Sequence, residues 1–116
     1  MYKFTGLNID HFIGDELAGV TIFPHTLSLQ FESDNIITIL SKWSIIDQNN
    51  STIDSGDAEK HNSSMKIHRL LQSKIENYSI VEPEELHIKF SNGLSLVLYD
   101  DSDQYESCSF SPNIYI

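Results

Sequence analysis

The chain has almost no cysteine, since Cys108 is its only one. A single thiol cannot form an intramolecular disulfide, and this scarcity is typical of proteins in a reducing compartment. The amino-terminal segment MYKFTGLNID contains no apolar run of the kind found in a secretory signal, and no stretch reaches the length of a transmembrane helix. We therefore expect a cytoplasmic protein that does not enter membranes.

Catalytic and metal-binding motifs are also lacking. The five glycines are scattered, and none belongs to a nucleophile elbow, a phosphate-binding loop or a dinucleotide-binding fingerprint. The five histidines have no metal-ligand spacing. The acidic run Asp100, Asp101 and Asp103, with Glu106 behind it, offers oxygen ligands for calcium but lacks the glycine and glutamate spacing of an EF-hand loop. We expect no enzyme activity, no catalytic residue, no metal and no cofactor.

Basic residues are scarce, with 7 lysines and arginines against 17 acids and a net charge of −10. Such a charge repels nucleic acid and anionic membranes and attracts basic proteins. Most bases fall in one stretch that contains Lys60, Lys66, Arg69 and Lys74, whereas Lys89 is the single base among eight acids from Glu76 to Glu106. The carboxyl-terminal half is therefore predicted to present an acidic face. The alternative is that the excess of acids over bases serves only to keep the protein soluble.

Short segments of alternating apolar and polar residues predict a fold rich in β-strands. Residues 47–63 predict a long polar loop, and a stretch from Ser64 to Leu71 or Gln72 predicts one short helix. We expect one domain over residues 1–116, of the α+β class but mainly β: an antiparallel β-sandwich or roll of about eight strands with one short helix. The predicted strands lie at Leu17–Phe23, Thr26–Glu32, Ile36–Ile46 with a possible break near Ser41-Lys42, Lys74–Val81, the hairpin Pro83–Tyr99, and Gln104–Phe110.

One hairpin pattern occurs twice. Pro24–Phe31 (PHTLSLQF) matches Pro83–Phe90 (PEELHIKF) in its proline, its first leucine, its second aliphatic residue and its phenylalanine. The second copy turns at Ser-Asn-Gly93, whereas the first has no glycine at its turn and carries Asp34-Asn35 instead. The pattern indicates either an internal structural repeat or two independent solutions to the same hairpin chemistry.

A diffuse set of core and turn positions extends over most of the chain. It comprises Gly14-x-x-Leu17-x-x-Val20, Leu27-x-Leu29-x-Phe31, Trp43, Leu86-x-Ile88-x-Phe90 with Gly93-Leu94, and Tyr105-Glu106-Ser107. In this pattern the chain resembles the immunity proteins of bacterial contact-dependent growth-inhibition and other polymorphic toxin systems. The resemblance implies a cytoplasmic protein that binds and neutralises a cognate toxin domain, and it carries over no individual inhibitory residue.

Nuclease toxins need basic clefts to hold their RNA or DNA substrate, so an acidic protein can approach and cover such a cleft. We expect the partner to be a basic toxin C-terminal domain, with no nucleic acid and no membrane bound. The alternatives are a homo-oligomeric interaction module and, third, a hydrolase built on the acidic turn. The candidate toxin-binding residues, which would mimic phosphates, are Asp54, Asp57, Glu59, Glu82, Glu84, Glu85, Asp100, Asp101 and Asp103.

Overall fold

Ten β-strands form two five-stranded antiparallel sheets in the computed structural model, which describes residues 4, 6–58, 66–81, 85–100, 107–112 and 114–115. The first sheet has the strand order β1-β2-β3-β9-β10, and the second has the order β5-β4-β8-β7-β6. This confirms the predicted antiparallel, mainly β architecture. The strands are β1 (Leu17–Phe23), β2 (Thr26–Phe31), β3 (Ile36–Ile39), β4 (Lys42–Ile46), β5 (Thr52–Asp57), β6 (Ile75–Val81), β7 (Glu85–Phe90), β8 (Ser95–Tyr99), β9 (Cys108–Phe110) and β10 (Ile114–Tyr115).

The predicted helix is shorter and tighter than expected. It is a 3-10 helix over Lys66–Leu70, and Gln72 follows it with a left-handed backbone that ends the helical path. A second 3-10 helix spans Asp10–Phe12, and no α-helix occurs in the described residues. No helix in the same residues is long and apolar enough to span a bilayer.

Part of the predicted loop over residues 47–63 is strand β5, so that prediction was wrong for residues 52–57. Asp47 Oδ1 accepts hydrogen bonds from the backbone N–H groups of Asn49 (2.8 Å) and Ser51 (3.0 Å). These bonds close a tight turn, after which β5 pairs with β4. The polar composition of the segment concealed this strand, which lies at the edge of its sheet and has the polar residue Asp54 at its buried position.

Alternating apolar residues of both sheets meet in one core. On β2, Leu27, Leu29 and Phe31 are buried, and β7 buries its residues in the same pattern. Trp43 on β4 is the largest fully buried side chain. Because the two inner faces share this core, the sheets form a sandwich.

The structure contains the internal repeat, and it extends well beyond one hairpin. The meander β1-β2-β3 has the same register as β6-β7-β8, each residue of β2 and β3 lying 59 positions before its counterpart (27 to 86, for example). Both meanders carry a β-bulge at the start of the first strand, between Leu17 and Gly19 and between Ile75 and Asn77. The matching pairs are Leu27–Ile39 with Leu86–Leu98, and Leu29–Ile37 with Ile88–Leu96.

The hairpin that follows each meander joins the sheet of the other half. Strand β4 pairs with β8, and β9 pairs with β3, so hairpin β4-β5 completes the second sheet and hairpin β9-β10 completes the first. The two halves are therefore related by a pseudo-two-fold rotation and are interlocked by exchanged hairpins. Neither sheet can form from one half alone.

The pseudo-two-fold axis passes through a short antiparallel crossing of the two halves. Glu16 and Lys74 form an isolated β-bridge there. Leu17 N donates to Ser73 O (2.9 Å), and Ile75 N donates to Asp15 O (3.1 Å), which is the symmetry-related bond. We call residues 13–17 and 71–75 the crossover.

Candidate protein-binding surface

The second sheet brings several strand ends together on the side opposite the crossover. Asp57, the last residue of β5, pairs with Lys42 at the start of β4. Glu85, the first residue of β7, pairs with Tyr99 at the end of β8 and with Val81 at the end of β6. Because adjacent strands run antiparallel, these five residues lie in one row across the sheet. We call this row the acidic end.

Two of the candidate acids, Asp57 and Glu85, lie on this row and are half-buried. Glu85 Oε1 is 3.1 Å from His87 Nε2, a contact that becomes an ion pair when the imidazole is protonated. Lys42, which is exposed, is the one basic residue of the row. The row therefore carries two carboxylates and one ammonium group, on three of the five strands of the sheet.

Two other candidates, Asp54 and Asp100, point into the protein. Asp54 is 7% exposed and accepts hydrogen bonds from Lys66 N (2.7 Å) and Ser55 N (2.9 Å), which ties β5 to the 3-10 helix. Asp100 is 1% exposed and accepts a hydrogen bond from Ser107 Oγ (3.1 Å). Both carboxylates stabilise connections between elements, because a buried carboxylate needs donors from the surrounding chain. The remaining candidates, Glu59, Glu82, Glu84, Asp101 and Asp103, lie outside the described residues.

A cavity of about 310 Å³ adjoins the acidic end. Ser44 Oγ and Tyr99 Oη are 2.8 Å apart in its wall, where either can donate the hydrogen bond. Sequence reasoning missed Tyr99 and Lys42 as surface residues. Alternation alone does not identify Tyr99, because Val97 on the same face of β8 is buried, as are Leu96 and Leu98. The cavity is lined by Lys42, Trp43, Ser44, Ser55, Gly56, Asp57 and Tyr99.

The acidic end offers carboxylates, an ammonium group and an aromatic hydroxyl to a partner. In the part of the chain that the structure describes, no group of three or more histidine, cysteine, aspartate or glutamate side chains is placed to hold a metal ion. Cys108 is buried on β9. The row can accept hydrogen bonds and ion pairs from a partner, with Tyr99 as an aromatic contact beside them.

Comparisons with family models, with curated proteins and with solved structures found no match to this chain.

Proposed function

We propose that this protein is a cytoplasmic immunity protein that binds a basic toxin domain, such as a nuclease, and covers its substrate cleft. The observation that carries the proposal is the convergence of β5, β6, β7 and β8 at the acidic end, which places Asp57 and Glu85 in one row. In sequence, Glu59, Glu82, Glu84, Asp101 and Asp103 follow or precede these same strand ends. Asp57 and Glu85, which were predicted from separate stretches, thus lie in one row of the second sheet.

Carboxylates that lie in one row can both attract a basic partner and orient it, whereas scattered carboxylates only attract it. A net charge of −10 attracts a basic partner over distances of about 8–10 Å at physiological salt, and a local row of carboxylates then orients it. Carboxylates in the positions of substrate phosphates pair with the lysines and arginines of a nucleic-acid cleft. In this proposal the buried carboxylates of Asp54 and Asp100 stabilise the strand ends that carry the contact residues, through their hydrogen bonds to Lys66 N and Ser107 Oγ.

The proposal requires that a toxin domain is encoded beside the gene, and it is tested by mixing that purified domain with this protein. We expect a one-to-one complex at low salt and loss of nuclease activity at equal molar ratio. The double variant Asp57→Asn, Glu85→Gln should lower the association rate constant and raise the dissociation rate constant at least about tenfold, because carboxylates that pair with lysines and arginines inside the covered cleft are buried in the complex. Surface plasmon resonance measures both constants.

The matched control is Glu32→Gln, which removes one exposed carboxylate at the crossover side of the molecule. It should leave the association rate constant within about twofold of the parent value, because Glu32 is distant from the acidic end. No complex at low salt, or equal effects of the control and of the single variant Glu85→Gln, would refute the proposed contact surface.

A further inference from the structure

The crossover presents a surface that the proposed toxin contact does not use. Asp15, Leu17, Ser73 and Ile75 are buried there, so the alternation of the two short strands directs the side chains of Glu16 and Lys74 outward. The two side chains are pseudo-two-fold equivalents and stand beside the axis.

Exposed apolar residues flank this pair in symmetric positions. Ile13 is 46% exposed and Leu71 is 36% exposed, and the two residues occupy equivalent places in their halves. Each precedes a residue whose backbone N–H crosses to the other half: Gly14 N donates to Ile75 O (2.7 Å), and Gln72 N donates to Leu17 O (2.9 Å). Each side of the axis thus carries one exposed apolar residue beside the charged pair.

Glu16 and Lys74 differ in sign across the pseudo-two-fold axis. The exposed Glu76 beside Lys74 is offset by Lys89, whose Nζ lies 3.9 Å from Glu76 Oε1. On one side Glu32 N donates to Glu16 O (2.9 Å), which brings the exposed turn residues Glu32 and Asp34 next to Glu16. We call Glu16, Glu32 and Asp34 the acidic lobe. The equivalent positions in the second half are Lys74, Ser91 and Gly93, none of which is acidic.

On the other side, the turn between β7 and β8 is hydrogen-bonded to the backbone of two basic residues. Ser91 N donates to Lys74 O (2.8 Å), and Asn92 Nδ2 donates to Arg69 O (2.9 Å). Lys74 and Arg69 are exposed, and we call them the basic lobe. Within the described residues no side chain of either lobe takes part in an ion pair.

We propose that the crossover surface binds the crossover surface of a second copy of this chain. A two-fold axis perpendicular to the pseudo-two-fold axis places the acidic lobe of each copy on the basic lobe of its partner, twice in one interface. It also brings Ile13 and Leu71 of both copies into the interface. A surface that is half acidic and half basic about its own axis is self-complementary, as an isologous dimer requires.

The test is sedimentation velocity of the full chain over a concentration series up to about 100 µM, at about 25 mM and about 500 mM NaCl. We expect a dimer at low salt and a dissociation constant at least about tenfold higher at high salt, because the lobes are exposed and therefore screened. A monomer over the whole series at low salt would overturn the proposal.

Charge reversal then separates a specific interface from general repulsion. Arg69→Glu, Lys74→Glu makes both lobes acidic, and Glu16→Lys, Glu32→Lys makes both lobes predominantly basic. Each double variant alone should be monomeric where the parent is dimeric, and an equimolar mixture should form a one-to-one heterodimer. The second variant also lowers the net negative charge, so a general repulsion model predicts stronger self-association for it. Failure of the mixture to associate would overturn the proposal.

The control is Lys42→Glu, which makes the same charge change as Lys74→Glu at the opposite end of the second sheet. It should leave the dissociation constant within about twofold of the parent. Circular dichroism during heating checks that each variant is folded. If a double variant is unfolded, Lys74→Glu and Glu16→Lys are mixed in its place, with restored association expected and its absence counting against the interface.

Discussion

Two equivalent positions of the repeat hold the same unusual backbone with different residues. Gly14 has φ of +86° and Gln72 has φ of +68°, and both donate their N–H across the crossover. A residue with a Cβ atom costs roughly 1–2 kcal/mol in this left-handed region, whereas glycine costs about 0.5–1 kcal/mol through the larger entropy of its unfolded chain. Exchange between glycine and a residue with a Cβ atom can therefore be tested in opposite directions at Gly14 and Gln72.

The magnitudes follow from these two opposing terms. A Cβ atom added at Gly14 meets no heavy atom within 4 Å, so Gly14→Ala changes the backbone energy alone and should destabilise the fold by about 1 kcal/mol. Gln72 is exposed, so Gln72→Gly loses little packing and should stabilise the fold by about 0.5 kcal/mol. The two effects have opposite signs although the positions are symmetry equivalents.

Urea unfolding monitored by the fluorescence of the buried Trp43 measures both changes. The slope of free energy against urea should stay constant, so that the midpoint alone shifts. Gln48→Gly is the matched control: Gln48 lies in an exposed turn with an ordinary backbone, and the change should destabilise by about 0.5–1 kcal/mol through chain entropy, in addition to the lost contact of its side chain with Gly93. A neutral Gly14→Ala, or a Gln72→Gly as costly as the control, would refute the assignment of left-handed strain to the crossover.

Two further predictions concern polar groups that fasten the first half of the chain. Asp15→Ala removes the acceptor of the Ser33 N–H and Oγ–H groups and should destabilise the fold by about 2–3 kcal/mol in urea unfolding; a loss below about 1 kcal/mol would contradict this role. Burial raises the pKa of Tyr78, and the hydrogen bond to Asp10 raises it further. The neutral Tyr78 side chain therefore contributes its full stability below the unfolded pKa of about 10, and this contribution is lost as pH rises through the folded pKa. Tyr78→Phe should therefore show a smaller loss of stability between about pH 8 and pH 11, and an unchanged loss would contradict the linkage.

Local sequence rules predicted the hairpins because each signal lies within a few residues. Alternation identified the buried faces of β2 and β7, and the match of Pro24–Phe31 to Pro83–Phe90 located the repeat. The first turn lacks the glycine of the second, yet Asp34 has φ of +70° where Gly93 has φ of +89°. Aspartate tolerates this region better than most residues, and so the two turns keep one geometry.

Sheet order could not be predicted in the same way. The exchange of hairpins β4-β5 and β9-β10 depends on which strand edge each hairpin meets after the meanders have formed. Alternation fixes the face of a strand but carries no information about its neighbour. The buried acids show the same limit: Asp54 and Asp100 look like surface residues in sequence, and only tertiary donors such as Lys66 N and Ser107 Oγ account for their burial.

Comparison of the two halves distinguishes the features that the fold requires from the features that can vary. Backbone register, bulges, turn conformations and core positions agree between the halves, because both halves build the same sheet around one core. Charge does not agree between the halves. The residues of the acidic lobe correspond to Lys74, Ser91 and Gly93 in the second half of the chain. Exposed charges contribute little to folding stability, so nothing in the fold demands this difference. This difference in charge is what makes the crossover surface self-complementary in the proposed dimer, and charge reversal at Glu16 and Lys74 tests that proposal directly.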